Sequence, residues 1–186
     1  MTKQFSMGSV FLSFLITVAA LFGPRLALAD EMTLLEQDSR AALDSLYSGS
    51  PAAKALGDQA KAILVFPNVT KAGFVVGGQG GDGVLLVKGK VAGHYNTAAV
   101  SVGLQAGMQS FGYALFFMSD KVLADFRKSK NFQVGVGPSV VVVDAGMAKD
   151  LTTLTGKADV YAMIFDQKGL MAGVGIQGSK ITKLKN

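Results

Sequence analysis

The sequence predicts an α+β fold: a mostly antiparallel, curled sheet or barrel-like sandwich with N-terminal helices and one inserted helix. Three observations predict it. From residue 62 onward the chain is a succession of roughly eight apolar, β-branched runs bounded by Gly, Pro, Asn or Asp. Before them, residues 31–48 carry apolar side chains at spacings of three and four. Among the runs, Ser119-Asp120 opens a segment with Val122, Leu123 and Phe126, closed by Arg127, Lys128 and Lys130.

Residues 1–29 read as a segment apart. Lys3 supplies a positive start, Val10–Phe22 an apolar stretch, and Ala27-Leu28-Ala29 a small-residue cleavage pattern. The expectation is a signal peptide cut after Ala29, with residues 30–186 as a single exported domain, periplasmic or envelope-associated. In the stretch 31–48, Met32, Leu35, Ala42, Leu43, Leu46 and Tyr47 form the apolar stripe. Glu31 and Glu36 suit the positive end of the helix, and Ser48-Gly49-Ser50-Pro51 stops it. Ser50 then caps a second short helix, with Pro51 at its first position, where a missing N–H costs little.

Strands follow. Ala62–Phe66 ends at Pro67-Asn68. Ala72–Val76 and Val84–Val87 read as a hairpin around the glycine-dense turn Gly77–Gly83. Lys88-Gly89-Lys90 is the next turn. Val91–Thr97, Ala98–Met108 and Gly112–Met118 read as separate strands. After the inserted helix come Phe132–Val143, broken or edged at Gly137-Pro138, and a loop over Asp144–Lys157. Asp159–Phe165 and Gly169–Ile176 read as a hairpin across Asp166-Gln167-Lys168. Lys180–Lys185 reads as a final edge strand, its lysines guarding against edge-to-edge association.

Composition narrows the chemistry. Hydrophobic residues make up 49% and charged residues 17%, enough apolar content for a packed core and too little charge for a disordered chain. Cysteine is absent, which removes disulfides, thiolate nucleophiles and zinc–cysteine sites. Gly78-Gln79-Gly80-Gly81-Asp82-Gly83 fits G-x-G-x-x-G, but a strand-like Val84–Val87 follows where a dinucleotide fingerprint needs a helix. His94 is the only histidine and no nucleophile-elbow pattern accompanies it. Asp82, Asp144, Asp150, Asp159 and Asp166 stand singly at turns, where Asp is expected for local hydrogen bonding. No cofactor, metal site or enzymatic activity is expected.

Charge is uneven. The chain is formally +5; residues 30–49 are −4 and residues 50–186 are +7. A basic body favours anionic surfaces, and an exported protein points to anionic lipid headgroups rather than nucleic acid. The candidate contacts are Lys71, Lys88, Lys90, Arg127, Lys128 and Lys130. The acidic polar face of the first helix favours packing on the domain over insertion into a membrane interface.

Several stretches in order resemble the SYLF domain family: Lys61–Gly78 with Pro67 and Lys71-Ala72-Gly73-Phe74, Gly83–Leu86, and Val102–Gln109 with Gly103 and Gln105-Ala106-Gly107. Phe132–Val143 and Val160–Lys180 with Lys168-Gly169-Leu170 complete the match, which runs from about residue 50 to 184. The resemblance implies a lipid-binding module. In eukaryotic members such a domain is associated with phosphoinositide membranes and actin assembly, through basic residues and an amphipathic N-terminal helix. The acidic first helix of this chain departs from that pattern. The expected function is a non-enzymatic domain binding anionic lipid or a membrane surface of the cell envelope. The alternative is a structural or protein-interaction module with an envelope protein partner and no lipid ligand.

Overall fold

The computed structural model describes residues 30–135, 140–144, 158–169, 175, 176 and 178–185, with the side chains of 102–106, 143 and 144 outside that description. The expected signal peptide, Gly137-Pro138, most of the loop expected over Asp144–Lys157 and residues 170–174 lie outside the described residues. Residues 30–49 are helical (α1), and the compact body described below is Leu35–Asn186. Then come α2 (Pro51–Gln59), β1 (Ala62–Val87), β2 (Lys90–Phe117), α3 (Asp120–Lys128), β3 (Phe132–Gln133), β4 (Val140–Asp144), β5 (Val160–Gly169) and β6 (Lys180–Lys183). The α+β class and the curled, mostly antiparallel sheet are as the sequence predicts.

The helix boundaries follow their caps. Ser50 Oγ accepts from the Ala53 amide at 3.3 Å with Pro51 just inside α2, and Ser119 Oγ accepts from the Val122 amide at 3.3 Å. Each bond satisfies one of the first-turn amides a helix leaves free. Arg127 and Lys128 occupy the last turn of α3, where cations meet the negative end of the helix.

The central unit is a ribbon of two very long strands. β1 has 26 residues and β2 has 28, joined by the two-residue turn Lys88-Gly89. Both turn residues have positive φ, 50° and 75°. That is the twist a tight hairpin needs. The ribbon then folds back on itself at Gly73–Gly77. A Cβ on Gly73 would lie 2.3 Å from the Gly77 Cα, so the two glycine backbones touch at the base of the corner. Val75, between them, has φ 64° and marks a register shift. The halves of the ribbon pack closely: a Cβ on Gly83 would lie 2.4 Å from the Val65 carbonyl oxygen.

This corrects the hairpin expected around Gly77–Gly83. Those glycines lie inside β1, paired with Ser101 through Tyr95. At Gly81 and Gly83 glycine is needed for close backbone approach, with an added Cβ 2.4 Å from the Asn68 and Val65 carbonyl oxygens, a use that local pattern cannot separate from a turn. The three strands expected between Val91 and Met118 are likewise one strand, because Gly103 and Gly107 are spanned rather than turning the chain. The hairpin expected across Asp166-Gln167-Lys168 is also absent. β5 runs through it with a bulge at Asp166, whose φ is 51°, opposite the Ser110/Gly112 register shift. Pro67-Asn68, by contrast, does fall at a break in the ladder, a bulge between Phe66 and Val69.

Among the described residues the sheet has six strands in the order β3-β6-β2-β5-β4, with β1 on β2. Of these, β4 and β5 run parallel. β2 pairs with β5 along its Gln109–Phe117 half and with β6 along its Tyr95–Ala98 half. β6 is therefore held between β2 and the short β3, and is not the edge strand its lysines suggested.

Alternation along the strands builds two cores. Leu64, Phe66, Tyr113, Leu115, Phe117, Ala162 and Ile164 face inward with α3, and Val65, Ala114, Phe116, Tyr161, Met163 and Phe165 face the helices. Leu43, Leu46, Ala53 and Leu56 of α1 and α2 cover that second face. The apolar stripe expected for residues 31–48 thus packs on the sheet from Leu35 onward. Within the inner core, Phe126 sits 5.0 Å from Tyr95, 4.8 Å from Phe117 and 5.1 Å from Phe132, ring centre to ring centre.

Candidate functional site

The folded ribbon has two ends, and they differ in kind. At the helical end the apolar faces are covered. At the corner they are not. Phe74 is 79% exposed, Val100 80% and Met108 67%, and Val75 and Val76 stand exposed beside Phe74. The register explains the geometry. Phe74 and Val76 flank the corner residue Val75 on β1, Met108 pairs with Ala72, and Val100 pairs with Gly78. Val69 and Phe111 face the inner core, so alternation turns Thr70, Ala72 and Phe74 of β1, with Met108 and Ser110 of β2, to the outer face of one half of the ribbon. Thr97 faces inward, so Ala98 and Val100 face outward on the other half. The corner is thus a wedge: Phe74-Val75-Val76 at the apex, Met108 on one flank and Val100 on the other.

Cations stand behind the apex on both flanks. Lys168 pairs with Ser110 and is exposed; Lys180 pairs with Ala98 and is exposed. Among the described residues no ion pair engages either.

Three stretches that carry the SYLF resemblance meet here. Lys71 pairs with Gln109, and Gln109 pairs with Gly169, so Lys71–Phe74, Gln105–Gln109 and Lys168-Gly169 share one corner of the fold. The basic residues singled out in the sequence do not share one surface. Lys88 and Lys90 lie exposed at the hairpin turn, where Arg40 donates to the Gly89 carbonyl at 2.9 Å. Arg127 and Lys128 end α3, and Lys130 follows in the exposed segment after it. Arg127 acts on Tyr95, opposing the rise in its hydroxyl pKa that burial causes. Lys71 is only 5% exposed. It faces inward one step from Val69, beside Gln109, and is not a surface contact; period-two alternation puts it there.

The residues at the apex were legible only as strand. Ala72–Val76 has the composition of a core strand, and nothing local distinguishes an apolar run at an uncovered corner from one under a helix. The remaining polar groups hold the fold. His94 is buried, with Nε2 3.0 Å from Glu36 Oε1 of α1. Asn96 donates to Asp82 at 2.7 Å, and Gln79 donates to Ser179 Oγ at 3.0 Å. Among the described residues no cluster of His, Asp or Glu could hold a metal ion, and no helix is long and apolar enough to cross a membrane.

The model of the Ysc84 family, described as Las17-binding protein actin regulator, matches residues 98–186. That span starts within β2 and contains Val100, Met108, Lys168 and Lys180. No curated protein matches the chain. Residues 98–186 of this chain match the model of the Ysc84 (SYLF) family.

Proposed function

We propose that the protein is a non-enzymatic lipid-binding domain that docks on an anionic membrane surface of the cell envelope, apex first. The observation that carries this reading is the wedge. Five large apolar side chains, Phe74, Val75, Val76, Val100 and Met108, are exposed around one corner while helices cover the other end. Contiguous exposed apolar patches mark interaction surfaces. Full burial of a single such side chain is worth about 1.5–3 kcal/mol, so a few of them outweigh the cost of ordering a protein at an interface. The net +7 of residues 50–186 adds attraction to an anionic leaflet, and the signal-like residues 1–29 support an envelope location. Lys88, Lys90, Arg127, Lys128 and Lys130 contribute at longer range.

The family description names a protein ligand, so an envelope protein is the alternative occupant of the apex. Sedimentation of the purified chain with vesicles separates the two. The expected result is binding to phosphatidylglycerol-containing vesicles, weaker binding to phosphatidylcholine vesicles, and a partition coefficient lowered about tenfold or more by Phe74→Ser with Met108→Ser. Equal recovery of the double variant and the parent chain would exclude the apex as the membrane contact.

A further inference from the structure

A pocket of about 280 Å³ opens beside the apex, lined by Thr70, Met108, Gln109, Ser110, Lys168 and Gly169. Three of its polar side chains form a row across three strands: Thr70 pairs with Ser110, and Ser110 with Lys168. Directly opposed residues on neighbouring strands project to the same face. Two hydroxyls and an ammonium therefore converge on one outer surface. Lys168 is free of ion pairs among the described residues. Met108, the next outward-facing position along β2, forms an apolar wall on the apex side.

We propose that this pocket seats the phosphate of one membrane phospholipid. The Lys168 ammonium supplies the counter-charge, the Thr70 and Ser110 hydroxyls donate to the phosphate oxygens, and Met108 lies against the start of the acyl chains. The proposal rests on the membrane reading above and adds to it a defined, saturable headgroup site. The chemistry selects an anion rich in acceptors, because a hydroxyl donates readily to an oxyanion and an ammonium has only donors. Depth selects a lipid over a free ion. Thr70 lies four residues behind Phe74, about 13 Å at the rise of a β-strand. An apolar surface anchored in a membrane sinks about 5–10 Å past the headgroup boundary. With the apex at that depth the pocket stands among the headgroups. Lys180, paired with Ala98 two residues behind Val100, stands on the other flank, but neither it nor Ala98 lines the pocket, so it contributes charge alone.

The test uses the isotope-labelled full chain and nuclear magnetic resonance. Dihexanoylphosphatidylglycerol, kept below its micelle concentration, and inorganic phosphate are titrated separately. The expected result is saturable shifts of the Ser110 and Gly169 amides with the short-chain lipid, and saturation by inorganic phosphate only at concentrations at least tenfold higher. Lys168→Gln, and Thr70→Val with Ser110→Ala, weaken lipid binding about fivefold or more. Lys168→Arg retains it, and Lys180→Gln leaves it unchanged while reducing vesicle binding. Unaltered lipid titration in Lys168→Gln overturns the proposal, and so does equal affinity for inorganic phosphate, which would mark a simple anion site. Absence of saturable shifts in a chain that still sediments with phosphatidylglycerol vesicles overturns the pocket and leaves the membrane reading standing. Absence of both overturns the two together.

Discussion

Val75 shows how much a single residue can reveal. Its φ of 64° is a left-handed conformation that a β-branched side chain adopts only under strain, and it is held at the apex. Strain of this kind costs about 1–3 kcal/mol and gathers at functional positions. Glycine at the same place loses the strain and gives back about 0.4–1 kcal/mol in unfolded-chain entropy. Val75→Gly is therefore expected to raise stability by about 1 kcal/mol, read as a higher urea midpoint at unchanged slope, while exposing less apolar surface at the apex. A lower midpoint would mean that the Val75 side chain supports the corner after all. Lys71 teaches the converse. Its charge made it a surface candidate in the sequence, but its strand position turns it inward. Charge is a property of a residue; facing is a property of register.

At the scale of elements, the helices were legible and the long strands were not. Ser50-Pro51 and Ser119-Asp120 end or begin helices through hydrogen bonds that form within one turn, so neighbouring residues carry the information. The β1–β2 ribbon is different. Gly81 and Gly83 mark where backbone meets backbone from the other half of the same ribbon, at Asn68 and Val65, and those partners are many residues away. Gly83→Ala puts a Cβ 2.4 Å from the Val65 carbonyl oxygen and 2.5 Å from Phe66 Cδ1, contacts that backbone cannot yield cheaply. The expected cost is about 1–3 kcal/mol by chemical denaturation. Gly80→Ala, with the Thr97 carbonyl oxygen at an ordinary 3.5 Å, is expected to stay within about 0.5 kcal/mol. Equal effects at the two positions would show that glycine serves β1 through flexibility rather than through close packing. The one tight turn that was read correctly, at Lys88-Gly89, is the one whose residues answer to their immediate neighbours.

For the molecule as a whole, the two halves of the ribbon are tied through the inner core. Tyr113 donates to Thr97 Oγ1 at 2.7 Å between fully buried groups, linking the half of β2 that pairs with β5 to the half that pairs with β6. Tyr113→Phe leaves the Thr97 hydroxyl without its partner and is expected to cost about 1–2 kcal/mol, most of it recovered in Tyr113→Phe with Thr97→Val. The pH dependence has a definite sign. Burial pushes the Tyr113 hydroxyl above its ordinary value, so the folded chain holds a proton that the unfolded chain releases near pH 10. Its contribution to stability is complete below pH 10 and declines as pH rises beyond it. Tyr113→Phe should make the alkaline decline in stability shallower; an unchanged slope above pH 10 would assign the decline to other groups. Tyr47, raised to about 12 by burial and by the nearby Asp58 and Asp44, acts in the same direction from the helical side.

The class of the fold, the helix ends, the alternating apolar faces and the family resemblance are all legible along the chain. Each of these depends on neighbours within a turn or on period-two order along a strand. Folding in three dimensions sets where the ribbon turns back and which apolar run is left uncovered. It also decides that Thr70, Ser110 and Lys168, from three different strands, line one pocket. Those features depend on which distant backbones approach and which faces the helices reach. Phe74 and Phe66 look alike in the sequence; Phe66 lies inside the core, whereas the bulge at Pro67-Asn68 reverses the alternation before Phe74, which sits at the corner where β1 folds back.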